Sequence, residues 1–96
     1  ALAAGFVNKV YADHEQLLSG VHEIAAEIAS KSPMAVWGTK KSMQYSQEHS
    51  IADGLEHIAT WNASMFDTDD MAEAFAAQME KRAADFPDLW AQSRGL

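Results

Sequence analysis

The chain has 96 residues, 48% of them apolar, and its 14 acidic side chains outnumber its 7 basic ones, for a formal charge of −7. This charge argues against nucleic acid as a partner, because binding a phosphate backbone requires a net basic surface. The absence of cysteine excludes a disulfide framework, and the absence of an apolar run of ~18 residues or a signal-peptide pattern predicts a cytoplasmic protein without a membrane partner.

The N-terminal segment, residues 1–12, precedes the first predicted helix. Within it, residues 5–11 alternate weakly between apolar and polar side chains, which fits a short strand or an extended segment. Asp13 followed by Gln16 is typical of a capping box at the start of a helix. Apolar residues then recur at helical spacing, which predicts an amphipathic helix that runs to about Ser30. They are Leu17, Val21, Ile24 and Ile28.

Ser32 and Pro33 predict the start of a second helix, which we expect to run to about Ser46. The Ser side chain can cap the helix, and Pro is tolerated at the first helical position because its missing N–H would have no partner there. Gly38 in the interior costs about 1 kcal/mol relative to Ala, so its presence indicates close packing at that point. The helix carries Met34, Val36, Trp37, Met43 and Tyr45.

Ser50, with Asp53 three residues later, predicts the start of a third helix. Its apolar residues occupy one side, interrupted by Asn62, whereas Trp61 projects to a different side. Apolar surface on more than one face is a surplus for a monomer of this size, and association through the face around Trp61 is one way to bury it. The stripe consists of Ile51, Leu55, Ile58, Met65 and Phe66.

Acidic residues crowd the predicted start of a fourth helix at positions 67–70, where they suit the positive end of the helix dipole. Lys81 and Arg82 are expected in its last turn, where cations suit the opposite end. An aromatic–proline pair, residues 86–87, is expected to end the helix and to leave residues 88–96 as a loose tail. The whole pattern predicts one all-α unit of about four helices.

Two groups of polar residues have spacings that invite comparison with metal sites. His49, Asp53 and His57 are spaced four residues apart, but capping by Ser50 places His49 off the helix and breaks the row, so a solvated stripe is favoured. The acids at 67–70 lack the Gly and Glu that a calcium loop requires, so helix capping is favoured there. We predict no metal site, and no catalytic residue either, because no nucleophile–base set or phosphate-binding Gly-rich loop is present.

The doublet Lys81–Arg82 is the feature best suited to an anionic ligand. From the residues alone, complementing the dipole at a helix end is the favoured role of both cations.

Three segments, in this order and spacing, resemble the enoyl-CoA hydratase/isomerase (crotonase) family. Residues 1–10 are similar to its Ala-x-x-x-Gly-Leu-Val-x-x-Val segment, with Phe6 in the Leu place. Residues 30–40 are similar to the segment where two helices meet. Residues 66–73 carry Phe-x-Thr-x-Asp-x-x-Glu, and Glu-Lys-Arg follows at 80–82. The chain therefore looks like the C-terminal third of such an enzyme.

Within this family the chain is most similar to dienoyl-CoA isomerases, which shift conjugated double bonds in fatty acyl-CoA breakdown. The similarity lies in residues 32–36, 45–46, 49–50 and 59–65. Enoyl-CoA hydratase is the alternative, because residues 66–82 resemble those enzymes closely. The residues do not separate isomerase from hydratase.

The resemblance implies an α/β spiral core followed by a helical C-terminal region that serves assembly into a trimer or hexamer. The family's oxyanion hole and proton-transferring carboxylates would precede Ala1, so we expect the chain alone to be inactive. An acyl-CoA thioester is the implied substrate, with coenzyme A part of that substrate and no further cofactor required.

The resemblance also assigns Lys81 a contact with the nucleotide phosphate of CoA, often across a subunit boundary. Gln78 stands where hydratases have an aromatic residue near the adenine. The alternative from another functional class is a stand-alone helical module that self-associates and binds no cofactor.

Overall fold

The computed structural model describes residues 1–89, and all of the regular structure in that range is helical. The four helices are α1(His14–Ala29), α2(Pro33–Glu48), α3(Ile51–Met65) and α4(Thr68–Glu80). The predicted all-α class is confirmed. Residues 1–12 form turns and bends, so the short strand considered for this segment is not formed. Of the tail predicted at 88–96, residues 90–96 lie outside the described residues.

The first three helices begin directly after the residue that was predicted to cap them, and α4 begins after Asp67, the first residue of the predicted acidic start at 67–70. The cap oxygens belong to Asp13, Ser32, Ser50 and Asp67. They accept backbone N–H groups two or three residues further on at 2.8–3.3 Å. These bonds satisfy donors that have no partner inside the helix, which explains why the local sequence locates the helix starts so well.

The end of α4 differs from the prediction. Lys81 adopts the left-handed conformation with φ 54 and ψ 43. The N–H of Arg82 donates to the carbonyl of Ala77 at 3.0 Å, and the N–H of Lys81 to that of Gln78 at 3.4 Å. This is a Schellman motif. The prediction that both cations lie in the last turn is wrong, because the helix ends at Glu80, well before the Phe–Pro pair.

Helices α2 and α3 form an antiparallel hairpin with close contacts near both ends. The indole of Trp61 packs against Gly38, where an added Cβ would overlap ring atom Cζ2. Toward the connection, an added Cβ at Gly54 would lie 2.9 Å from Oγ of Ser46. The close packing predicted at Gly38 is confirmed. The prediction that Trp61 marks a free face is wrong, because α2 covers that ring.

The apolar stripes of α1 and α3 lie largely uncovered. The α1 stripe is about half exposed, and on α3 Ile51 is 85% and Leu55 64% exposed. The chain exposes 8408 Å², whereas a compact monomer of this mass exposes about 5,400 Å². Its radius of gyration is 17.1 Å, against about 12 Å for a compact domain of this length. The four helices therefore do not enclose a core of their own.

Gly38→Ala should destabilise the fold by about 1–3 kcal/mol, because the new methyl group cannot coexist with the present position of the Trp61 ring. Gly54→Ala is the matched control. It adds the same methyl group and the same helix propensity but meets only a hydroxyl that can rotate, so its effect should stay within about 1 kcal/mol. Urea unfolding followed by far-UV circular dichroism measures both. Equal effects of the two substitutions would contradict the close contact.

Candidate functional site

The guanidinium group of Arg82 holds the end of α4 and the residues that follow it, a segment (residues 80–85) that we call the corner. Its Nη1 and Nη2 donate to the two carboxylate oxygens of Glu73 at 2.6 and 3.1 Å. Its Nε donates to Oε2 of Glu80 at 2.6 Å. The fork matches the planar carboxylate of Glu73, the geometry in which an arginine–carboxylate pair is strongest.

Glu73 also accepts the backbone N–H of Asp85 at 2.8 Å, which draws the chain back along α4 after the helix has ended. Hydrogen bonds from Arg82 and then from this N–H lower the pKa of Glu73 from 4.5 to about 2. The bonds from Glu73 and then Glu80 raise the pKa of Arg82 above its ordinary value. The Glu73 side chain is 24% exposed, so water partly screens the pair.

The two cations of the Lys81–Arg82 doublet therefore differ in role. The charge of Arg82 is engaged by two carboxylates. Lys81 is exposed, and among residues 1–89 no carboxylate lies within salt-bridge distance of its ammonium group. Of the two, Lys81 is the side chain that remains able to meet an anion.

An apolar cleft of about 460 Å³ lies between the start of α2, the end of α3 and α4. This volume falls within the range of small-molecule pockets. Gln78 lies on the cleft, and so does Phe86, which the turn held by Glu73 brings back against α4. Sequence reasoning treated Phe86 only as a helix stop, because nothing local indicates that the chain reverses. The remaining apolar lining includes Met34, Met65, Phe66, Met71 and Phe75.

A second polar link joins α2 to α4 at the edge of the same cleft. The hydroxyl of Ser32 donates to Oδ2 of Asp70 while it accepts the N–H of Ala35 as the cap of α2. Asp70 is only 8% exposed. The sequence placed it among helix-capping acids, but its carboxylate is buried and bonded to another helix.

The histidines of the predicted polar row stack on a common tyrosine. The rings of His49 and His57 lie 3.7 and 4.0 Å from that of Tyr45, nearly parallel to it and therefore on its opposite faces. Nδ1 of His49 donates to the carbonyl of Tyr45 at 2.7 Å. The phenol thus separates the imidazoles, and within residues 1–89 no three metal-ligating side chains converge.

Residues 1–89 match the family described as Enoyl-CoA hydratase/isomerase. The chain belongs to the enoyl-CoA hydratase/isomerase family. The segments that suggested this family therefore identified it correctly. Among the helices in the described range, none has both the length and the apolar character needed to cross a bilayer.

Curated relatives include dienoyl-CoA isomerases and hydratases. The mitochondrial Delta(3,5)-Delta(2,4)-dienoyl-CoA isomerase of Mus musculus is 44% identical over 82 residues, covering 85% of this chain and 25% of the mouse protein. The peroxisomal isomerase of Arabidopsis thaliana is 46% identical over 88% of the chain and 31% of its own length. A probable enoyl-CoA hydratase of Mycobacterium leprae is 35% identical over 86% of the chain and 32% of its length. The chain thus spans a quarter to a third of these relatives.

The Glu73–Arg82 pair should make the free energy of unfolding depend on pH. Because the pKa of Glu73 falls from 4.5 unfolded to about 2 folded, the pair stabilises the fold above pH 4.5 and loses this contribution as the pH falls toward 2. Glu73→Gln should therefore lower the thermal midpoint at neutral pH and leave it unchanged near pH 2. Glu80→Gln, at a carboxylate that is 62% exposed, should have a smaller effect. A Glu73→Gln deficit that persists undiminished in acid would contradict the ion pair.

Proposed function

We propose that this chain is the C-terminal helical region of a fatty acyl-CoA isomerase of the dienoyl-CoA type, where it serves subunit assembly and forms one side of the CoA site. Family membership and the identity to dienoyl-CoA isomerases support the reaction class. The observation that carries the site is that Lys81 is exposed beside an Arg82 whose guanidinium group is bound by two carboxylates. The C-terminal region of an enoyl-CoA hydratase is the alternative, supported by the bacterial hydratase relative.

In this proposal Lys81 binds a phosphate of the nucleotide part of CoA. An ammonium group is a compact charge with three donors, which suits a phosphate oxygen approached from solvent. The Schellman motif fixes the backbone of Lys81, so the direction in which its side chain leaves the helix corner is defined before any ligand binds. Coenzyme A would enter as part of the substrate, and no separate cofactor is invoked.

The proton transfers are assigned to residues outside this chain. The two carboxylates nearest the cleft and the corner are already engaged, Asp70 by the hydroxyl of Ser32 and Glu73 by Arg82. The lowered pKa of Glu73 makes its carboxylate a poor base near neutral pH. The 96-residue chain alone is therefore expected to turn over neither isomerase nor hydratase substrates.

Assembly is the second part of the proposal. The chain exposes roughly 3,000 Å² more than a compact monomer of its mass would, an excess comparable to what large permanent interfaces bury. Part of it is an apolar face of the α2–α3 hairpin that includes Met43, Ile51 and Leu55. We assign this face to contact with another subunit of a family trimer or hexamer.

The cellular compartment of the protein stays a prediction. The sequence suggests the cytoplasm, whereas the isomerase relatives named above are described as mitochondrial or peroxisomal.

Replacing Lys81 with Gly should weaken binding of an acyl-CoA to the intact protein by about 10- to 100-fold, the value of a hydrogen bond between charged groups. Gly is the preferred residue for the left-handed position, so the substitution removes the ammonium group without straining the helix end. The matched control is Lys40→Ala, which removes an exposed lysine of α2 and should leave the affinity for acyl-CoA unchanged. Isothermal titration calorimetry measures both. An unchanged affinity in Lys81→Gly would remove the CoA-site role.

Leu55→Glu should dissociate the assembled protein, because it places a charge in the centre of the face assigned to subunit contact. Thr60→Glu adds the same charge to a different side of α3 and should leave the assembly intact. Sedimentation velocity gives the oligomeric state of both variants. If Leu55→Glu sediments like the parent protein, this face is not the subunit contact.

A stand-alone, self-associating helical module without catalysis is the second candidate function, and the uncovered stripes of α1 and α3 favour it. The two candidate functions differ in whether the protein binds CoA. A protein that assembles through these helices but binds no acyl-CoA would fit the second candidate and contradict the first.

A further inference from the structure

We infer that Glu73 is a positioning residue for Lys81, and that it aims the Lys81 ammonium at the phosphate through Arg82. This inference rests on the proposed role of Lys81 in CoA binding. Glu73 lies eight positions before Lys81 and binds Arg82, the residue that follows Lys81.

Both sequence neighbours of Lys81 are immobilised by one guanidinium group. On one side, Nε of Arg82 holds the carboxylate of Glu80. On the other, both terminal nitrogens of Arg82 bind Glu73, and Nη1 also donates to the carbonyl of Ala83 at 3.1 Å. Lys81 lies between these anchors in a left-handed conformation that a side-chain-bearing residue adopts only when its surroundings hold it there.

Glu73 is the anchor that connects this corner to the body of α4. It lies inside the helix and is 24% exposed, whereas Glu80 is the last helical residue and is 62% exposed. Glu73 also accepts the N–H of Asp85, so the same carboxylate holds the chain at Arg82 and again three residues later. Removing it frees the segment after Lys81, because Glu80 would then be the one carboxylate of residues 1–89 left to hold Arg82, through Nε alone.

The Glu73 carboxylate has a second, electrostatic consequence. While Arg82 donates to Glu73 and Glu80, its positive charge is compensated by two carboxylates, although its side chain is 40% exposed. A phosphate that approaches the corner therefore meets a single mobile ammonium group rather than two competing cations. The position of Lys81 then determines where the phosphate binds.

The test is a double-mutant cycle in the intact protein with two probes, an acyl-CoA and the same acyl group on pantetheine, which lacks the nucleotide phosphate. Glu73→Gln should weaken acyl-CoA binding about three- to tenfold and leave acyl-pantetheine binding unchanged. On a Lys81→Gly background, Glu73→Gln should add nothing, because the group that it positions is gone. Glu48→Gln, at an exposed carboxylate at the end of α2, controls for the loss of one negative charge.

Each other outcome is decisive. Equal weakening of both probes by Glu73→Gln would indicate general destabilisation and overturn the positioning role. Tighter acyl-CoA binding in Glu73→Gln would show that a freed Arg82 is the better phosphate ligand, and would overturn it as well. If Lys81→Gly itself leaves acyl-CoA binding unchanged, the proposed CoA role fails. If Lys81→Gly weakens binding, but the losses of affinity caused by Glu73→Gln and Lys81→Gly add up in the double variant, the positioning inference alone is contradicted.

Discussion

The fork of Arg82 on the carboxylate of Glu73 determines how the last described part of the chain is arranged. It holds α4 closed at Glu80, keeps Lys81 left-handed and, together with the bond to the Asp85 N–H, turns the chain back toward the cleft. Arginine suits this task better than lysine, because a planar group with several donors can bind two carboxylates and a carbonyl at once. The site at this corner is therefore a product of one ion pair between residues nine positions apart.

The motif residues that suggested the family turn out to be partners in space. Ser32 opens α2 and bonds Asp70 of the Thr-x-Asp-x-x-Glu segment, although 38 positions separate the two residues. Glu73 of that segment binds Arg82 of the Glu-Lys-Arg motif. The spacing of these short motifs is thus constrained by two polar links, one at each end of α4. The Ser32–Asp70 link specifies the arrangement of α2 and α4 more strictly than apolar contact does, since the buried carboxylate of Asp70 would be costly without its partner.

The helices are amphipathic, yet the stripes of α1 and α3 do not meet a common core in this chain. Among the helices of residues 1–89, extensive contact occurs in the α2–α3 hairpin, where glycines make room for the side chains of Trp61 and Ser46. In water, helices of this length depend on burying an apolar face for most of their stability. The uncovered faces therefore support the proposed contact with further protein surface.

The sequence alone determined where each helix starts, because a cap acts within three residues of itself, and it determined the apolar stripes through their period. It also indicated close packing at Gly38 and singled out Lys81. Tertiary structure decided the rest. Four features follow from contacts between distant residues: α4 stops at Glu80, Phe86 returns to the cleft, Asp70 is buried, and Arg82 is bound by carboxylates while Lys81 has no such partner within residues 1–89. No local preference encodes such contacts, because their energies exist only once the segments that carry them have been brought together.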